Sequence, residues 1–143
     1  MLTEKDYCDY ETCVALKELG YVGSSRYYYT QQDRKFHYDA YNKFYTVRTA
    51  DAMGYVLAVH LYDAQKWLRE EKEVYVTVIP EYNEYCPVKG VKYRFEVAHW
   101  KDDEFGYETI EWKDEDYTVS LFETYEKALS EGIKRAIKHI EII

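Results

Sequence analysis

Two periods of apolar and polar positions run along this chain and divide it into helices and strands. From Tyr125 onward, Ala128, Leu129, Gly132, Ile133, Ala136, Ile137 and Ile140 recur at helical spacing and form one apolar face. Glu123 and Glu126 lie at its start and Lys134, Arg135, Lys138 and His139 near its end, an arrangement that favours the helix dipole at both ends. Gly132 costs about 1 kcal/mol there relative to Ala; its presence suggests a close approach of helix to sheet. A second helix is predicted from about Leu61 to Lys72, with Leu61, Ala64 and Leu68 on one stripe and Trp67 at its edge. The first runs from about Asp9 to Leu19. Asp9 caps it, Gly20 supplies a left-handed stop, and Thr12, Ala15, Leu16 and Leu19 form its buried stripe beside Tyr10 and Cys13.

Period two governs the remainder. Val91, Tyr93, Phe95 and Val97 alternate with Lys92, Arg94 and Glu96, which marks a strand with one core face. Lys101 to Glu104 forms a polar turn, Phe105 to Trp112 returns, Lys113 to Asp116 turns again, and Tyr117 to Phe122 forms a third strand. Val74 to Ile79 is apolar or β-branched at nearly every position, as in a strand covered on both faces, and Pro80 ends it. Arg26 to Thr30 reads as a strand with its turn at Gln31 to Arg34. Phe36 to Tyr38 is the next strand, and Lys43 to Arg48 either continues it or forms another. The order predicts an α+β fold in a single domain, 1–143. Its antiparallel sheet carries a C-terminal three-stranded meander, with three helices packed mainly on one face.

Composition adds one unusual fact: 18 of the 143 residues are tyrosine. A chain that is 47% apolar with Tyr counted, with two prolines and six glycines, is not disordered or linker-rich. Successive strand residues point to opposite faces, so Tyr27-Tyr28-Tyr29 cannot all enter one core. Exposed Tyr clusters suit protein contact, because each ring buries much area at little entropic cost. The leading expectation is a non-enzymatic interaction protein. It self-associates or binds a protein partner through a Tyr-rich sheet face made by Tyr27, Tyr28, Tyr29, Tyr38 and Tyr45.

Charge supplies the alternative, a nucleic-acid-related role. The formal net charge is −8, and between Asp102 and Glu126 ten acids face one base, Lys113. Asp102, Asp103, Glu104, Asp114, Glu115 and Asp116 occupy the two meander turns. They either solubilise a Tyr-rich sheet or mimic the phosphates of DNA. Arg34, Lys35, Lys43 and Arg48 are interleaved with Phe36, Tyr38, Tyr41, Phe44 and Tyr45, the cations and flat rings that single-stranded nucleic acid needs. The competing reading of that stretch has the rings facing a core and the cations facing water.

Motifs that carry chemistry are sparse. Cys8 and Cys13 are five apart, a spacing that separates them on a helix, and no partner stands at zinc-like spacing. His37, His60, His99 and His139 are scattered. Nucleophile-elbow, P-loop and dinucleotide motifs are absent. Cys86 before Pro87 has only Lys89 nearby to activate it, and Glu96 and His99 point to opposite faces of a strand. No catalytic residue, metal site or cofactor is predicted. The acidic start, Met1 to Tyr10, does not read as a secretory signal, and the longest apolar run, Tyr55 to Val59, is too short to span a membrane. With an odd cysteine count, a cytoplasmic location and no membrane partner are expected.

Three stretches carry a resemblance: Trp67-Leu68-Arg69-Glu70 before an apolar strand, Phe122-Glu123-Thr124-Tyr125-Glu126-Lys127-Ala128 opening the last helix, and the opening helix Tyr10 to Gly20. They resemble small tyrosine-rich proteins found in gut Bacteroidales and in their phages and mobile elements. The resemblance covers about a third of the chain and implies a cytoplasmic accessory protein with no assigned activity. The second helix departs from the pattern, opening through Val59-His60-Leu61 where the group has Pro-Thr-Leu, and His is the weaker cap.

Overall fold

A computed structural model describes residues 3–39, 41, 43–81, 91–102, 106–109 and 121–142, with backbone alone for 101–102 and 106–109. The fold is mixed α+β with antiparallel pairing throughout, in two compact units, Met1–Ala64 and Gln65–Ile143. No helix among the described residues is long and apolar enough to cross a membrane.

In the first unit, α1 spans Tyr10–Glu18. The Asp9 side chain accepts the Thr12 N–H at 2.9 Å, and Gly20 closes the helix at φ +101°. Thr12, Cys13 and Leu16 are its buried residues. The inward face is turned toward Cys13 because its Sγ accepts the Val59 N–H and donates to the Cys8 carbonyl, both at 3.4 Å.

Five strands follow in this unit. β1 (Ser24–Ser25) pairs with β4 (Tyr45–Thr46), and β2 (Tyr27–Thr30) lies between β3 (Phe36–Tyr38) and β5 (Tyr55–Leu57). The β2–β3 turn places Arg34 at φ 58°, a conformation that costs a non-glycine residue roughly 1 kcal/mol or more. Its guanidinium lies 5.1 Å above the Tyr10 ring and bonds Glu11 at 2.8 Å, tying the hairpin to α1.

Lys43–Arg48 does not extend a strand. After the two residues of β4 the chain enters α2, Val47–Ala52, because Thr46 and Thr49 cap each other's backbone reciprocally. The helix packs against β4 and β5. β5 itself comes from the apolar run at Tyr55. It packs against α1 and α2, and just beyond it the Cys8 N–H bonds the Val59 carbonyl and Tyr7 bridges His60.

α3, Leu61–Glu71, runs across the boundary between the units. In the second unit, β6 (Val74–Glu81), β7 (Lys92–Asp102) and β8 (Gly106–Thr109) form one sheet in that order. β6 runs through Pro80 rather than stopping before it. The Trp100 N–H bonds the Glu73 carbonyl, so alternate residues from Tyr75 face β7 while Val74, Val76, Val78 and Pro80 point away. A missing N–H costs nothing on that side. β6 is also covered on one face only: Val74 and Val76 are buried and Thr77 is exposed.

α4, Tyr125–Ile142, packs on β6 and β7 through Ala128, Leu129, Gly132, Ile133, Ala136 and Ile137. A Cβ on Gly132 would stand 2.5 Å from Val76 Cγ1 and 3.2 Å from Phe95 Cβ.

Two expectations on architecture change. The sheet is not single; the described strands form three sheets, with four α-helices. At the C-terminal side the described strands make the β7–β8 hairpin, and most of the expected third strand, 117–120, lies outside the described residues. Only Phe122 is seen to pair, exchanging backbone hydrogen bonds with Tyr93 at 2.9 and 2.8 Å.

Candidate binding surface of aromatic rings

β2 distributes its three tyrosines over two faces, as its alternation requires. Tyr27 pairs with Tyr38, Tyr28 with His37 and Tyr29 with Phe36. On one face Tyr27 stacks on Phe36 with centroids 5.4 Å apart, and Tyr7 meets Tyr27 at 4.8 Å. On the other, Tyr28 stacks on Tyr55 at 4.1 Å, with Tyr45 edge-on to both rings.

The five tyrosines expected at the surface therefore separate. Tyr29 is only 1% exposed, and its hydroxyl donates to the Cys8 carbonyl at 2.7 Å. Burial pushes its phenol well above the usual range. Tyr45 is buried as well, Tyr27 and Tyr28 are half-buried, and Tyr38 is exposed. Tyr29 and Tyr45 thus belong to the interior rather than to a contact surface. Exposed aromatic area lies further along the chain, at Tyr38 (62%), Tyr41 (92%) and Phe44 (63%).

The expected cations divide too. Arg34 is taken up by Glu11 and Tyr10, and Lys43 lies 5.3 Å above the Tyr45 ring. Lys35 and Arg48 are exposed and their side chains form no ion pair among the described residues, although the Lys35 backbone N–H bonds the Asp33 carboxylate at 3.0 Å. Of the acidic residues, only the backbone of Asp102, at the end of β7, is described. Asp103, Glu104, Asp114, Glu115 and Asp116 lie outside the described residues.

β3 adds a feature that composition does not show. The Thr30 N–H bonds the Lys35 carbonyl at 3.2 Å and the Asp39 N–H bonds the Arg26 carbonyl at 3.0 Å. These bonds fix the phase of the ladder, so Phe36 and Tyr38 aim their backbone N–H and C=O groups away from β2. Those groups have no partner among the described residues.

Near Tyr27 the first unit also holds a cleft of about 330 Å³, walled by Tyr7, Tyr27, Phe44 and His60 with Arg26 and Asp63 on its lining. Arg26 Nε is buried without an acceptor. His60 Nδ1 accepts the Tyr62 N–H at 3.1 Å, which leaves the neutral ring's proton on Nε2. Burial, followed by the proximity of Tyr27, raises the Tyr7 phenol to about 12, and burial raises neighbouring Tyr21 to about 12.

The thiols are not separated as their spacing suggests. Cys8 precedes α1, and both thiols are buried side by side. The hydrogen bond with Cys13, reinforced by burial, holds Cys8 well above the usual thiol range, so the pair is structural. In the second unit His99 and His139 meet at 3.5 Å. Among the described residues, no three His, Cys, Asp or Glu side chains gather as a metal site would require. In comparisons with known proteins, no family model, no curated protein and no solved structure matches this chain.

Proposed function

We propose that this chain is a non-catalytic interaction protein that self-associates through β3 and the aromatic residues that follow it. The observation that carries the reading is the open edge of β3 beside exposed Tyr38, Tyr41 and Phe44. An unpaired edge is a template for another strand. A second copy of β3 is self-complementary to it. In antiparallel register about His37, Phe36 faces Tyr38 of the other copy, and each pair exchanges both outward backbone bonds, net about 0.5–1.5 kcal/mol apiece. The same register sets Lys35 against Asp39 of the other copy and aromatic ring against aromatic ring. A two-fold axis repeats every one of these contacts.

Light scattering coupled to size exclusion tests this. The mass is expected to rise from 17.3 kDa at high dilution toward twice that at millimolar concentration. Tyr38→Pro removes an outward N–H and leaves every β2 bond in place, so that variant is expected to stay monomeric with an unchanged circular dichroism spectrum. A constant monomer mass at millimolar concentration, or association of Tyr38→Pro equal to that of the parent, overturns the reading. Lys43 and the exposed rings also suit stacked bases. Single-stranded DNA that binds at low salt and dissolves the dimer would reassign the surface to nucleic acid.

A further inference from the structure

The cleft beside Tyr27 contains two opposite charges that do not meet. Arg26 and Asp63 both line it, yet they form no ion pair with each other, and neither side chain has a hydrogen-bond or ion-pair partner among the described residues. The guanidinium is half-buried and its Nε is shut off from water, which leaves the Nη groups as the part of the cation that a ligand can reach, while Asp63 is exposed. A simple anion would satisfy Arg26 but would be repelled by Asp63. A simple cation would meet the reverse problem. A ligand that carries both charges a short distance apart resolves each.

We propose that this cleft binds a free α-amino acid with an aromatic side chain. The α-carboxylate lies against the two Nη groups of Arg26, which donate in parallel. The α-ammonium donates to Asp63. Tyr7, Tyr27 and Phe44 form the apolar wall for the side chain, and His60 Nε2 is a further donor at the rim. The volume of about 330 Å³ accommodates one such molecule and falls at the lower end of small-ligand pockets. The cleft shares Phe44 with the exposed aromatic run but none of the β3 backbone, and its test is run at concentrations where the chain is monomeric.

The experiment is a titration of the whole chain with L-phenylalanine, followed by two-dimensional amide NMR. In parallel arms the ligand is N-acetyl-L-phenylalanine, which lacks the ammonium, or L-phenylalaninamide, which lacks the carboxylate. Saturable shifts are expected at Ser25 to Tyr27 and at Ala58 to Asp63 with L-phenylalanine, and each blocked analogue is expected to bind at least about tenfold more weakly. Asp63→Asn should abolish discrimination against the N-acetyl compound, and Arg26→Gln discrimination against the amide. Arg26→Lys keeps the charge without the fork and should still weaken binding. The proposal is overturned if L-phenylalanine gives no saturable shift, or if either blocked analogue binds the parent as tightly. These two readouts use the unsubstituted chain, so a variant that fails to fold does not leave the question open.

Discussion

Tyr29 is the tyrosine whose role changes most between sequence and structure. At the centre of β2, its hydroxyl reaches the Cys8 carbonyl and so ties the strand to the segment that leads into α1. Tyr29→Phe removes the stronger of the two donors to that carbonyl and leaves it the Cys13 thiol alone, with an expected loss of about 0.5–1.5 kcal/mol in a urea melt. Tyr7 and Tyr21 make a pH prediction. Both phenols sit near 12 in the folded chain and ionise near 10 when unfolded. The folded state therefore holds their protons longer. Stability from this source is intact below pH 10 and falls as the pH rises from about 10 toward 12. Denaturant midpoints measured across that interval should drop progressively, and midpoints that stay level would refute the assignment. The alternation of Tyr27, Tyr28 and Tyr29 was readable in the sequence. Which face would be covered was not, because Tyr7 and Tyr10 come from a segment distant along the chain.

Elements with a strong period were legible, and short ones were not. α1, α3 and α4 announce themselves through stripes and caps. α2 has six residues and too few turns for a stripe, and its Thr46–Thr49 capping pair was the one local signal. β5 was visible only as an apolar run, since its pairing with β2 depends on the intervening hairpin. Pro80 misleads for a geometric reason: it stands at an outward position of an edge strand, where proline is tolerated. Gly132 was legible as a probe of helix–sheet distance. Gly132→Ala forces a methyl into Val76 and Phe95, and a loss of about 1–3 kcal/mol is expected by thermal or urea unfolding despite the better helix propensity of alanine. A gain in stability would show that the helix is free to move away.

At the scale of the molecule, composition gave the class and left the working parts to the fold. Eighteen tyrosines announce abundant aromatic area, yet the fold divides it between interior ladders, the cleft rings and the exposed run from Tyr38 to Phe44. The two charges on the cleft lining were not legible at all, since Arg26 stands just before β2 and Asp63 in the first turn of α3, far apart in the sequence. The net charge of −8 keeps any contact between copies modest, since each copy carries the same sign. The β3 edge offers only two outward residues, Phe36 and Tyr38, and this has a consequence for assembly size. A two-fold pairing occupies both on each copy, so no lip is left there on which a third could seat. Growth through β3 is self-limiting, and concentrated solutions should hold pairs rather than filaments.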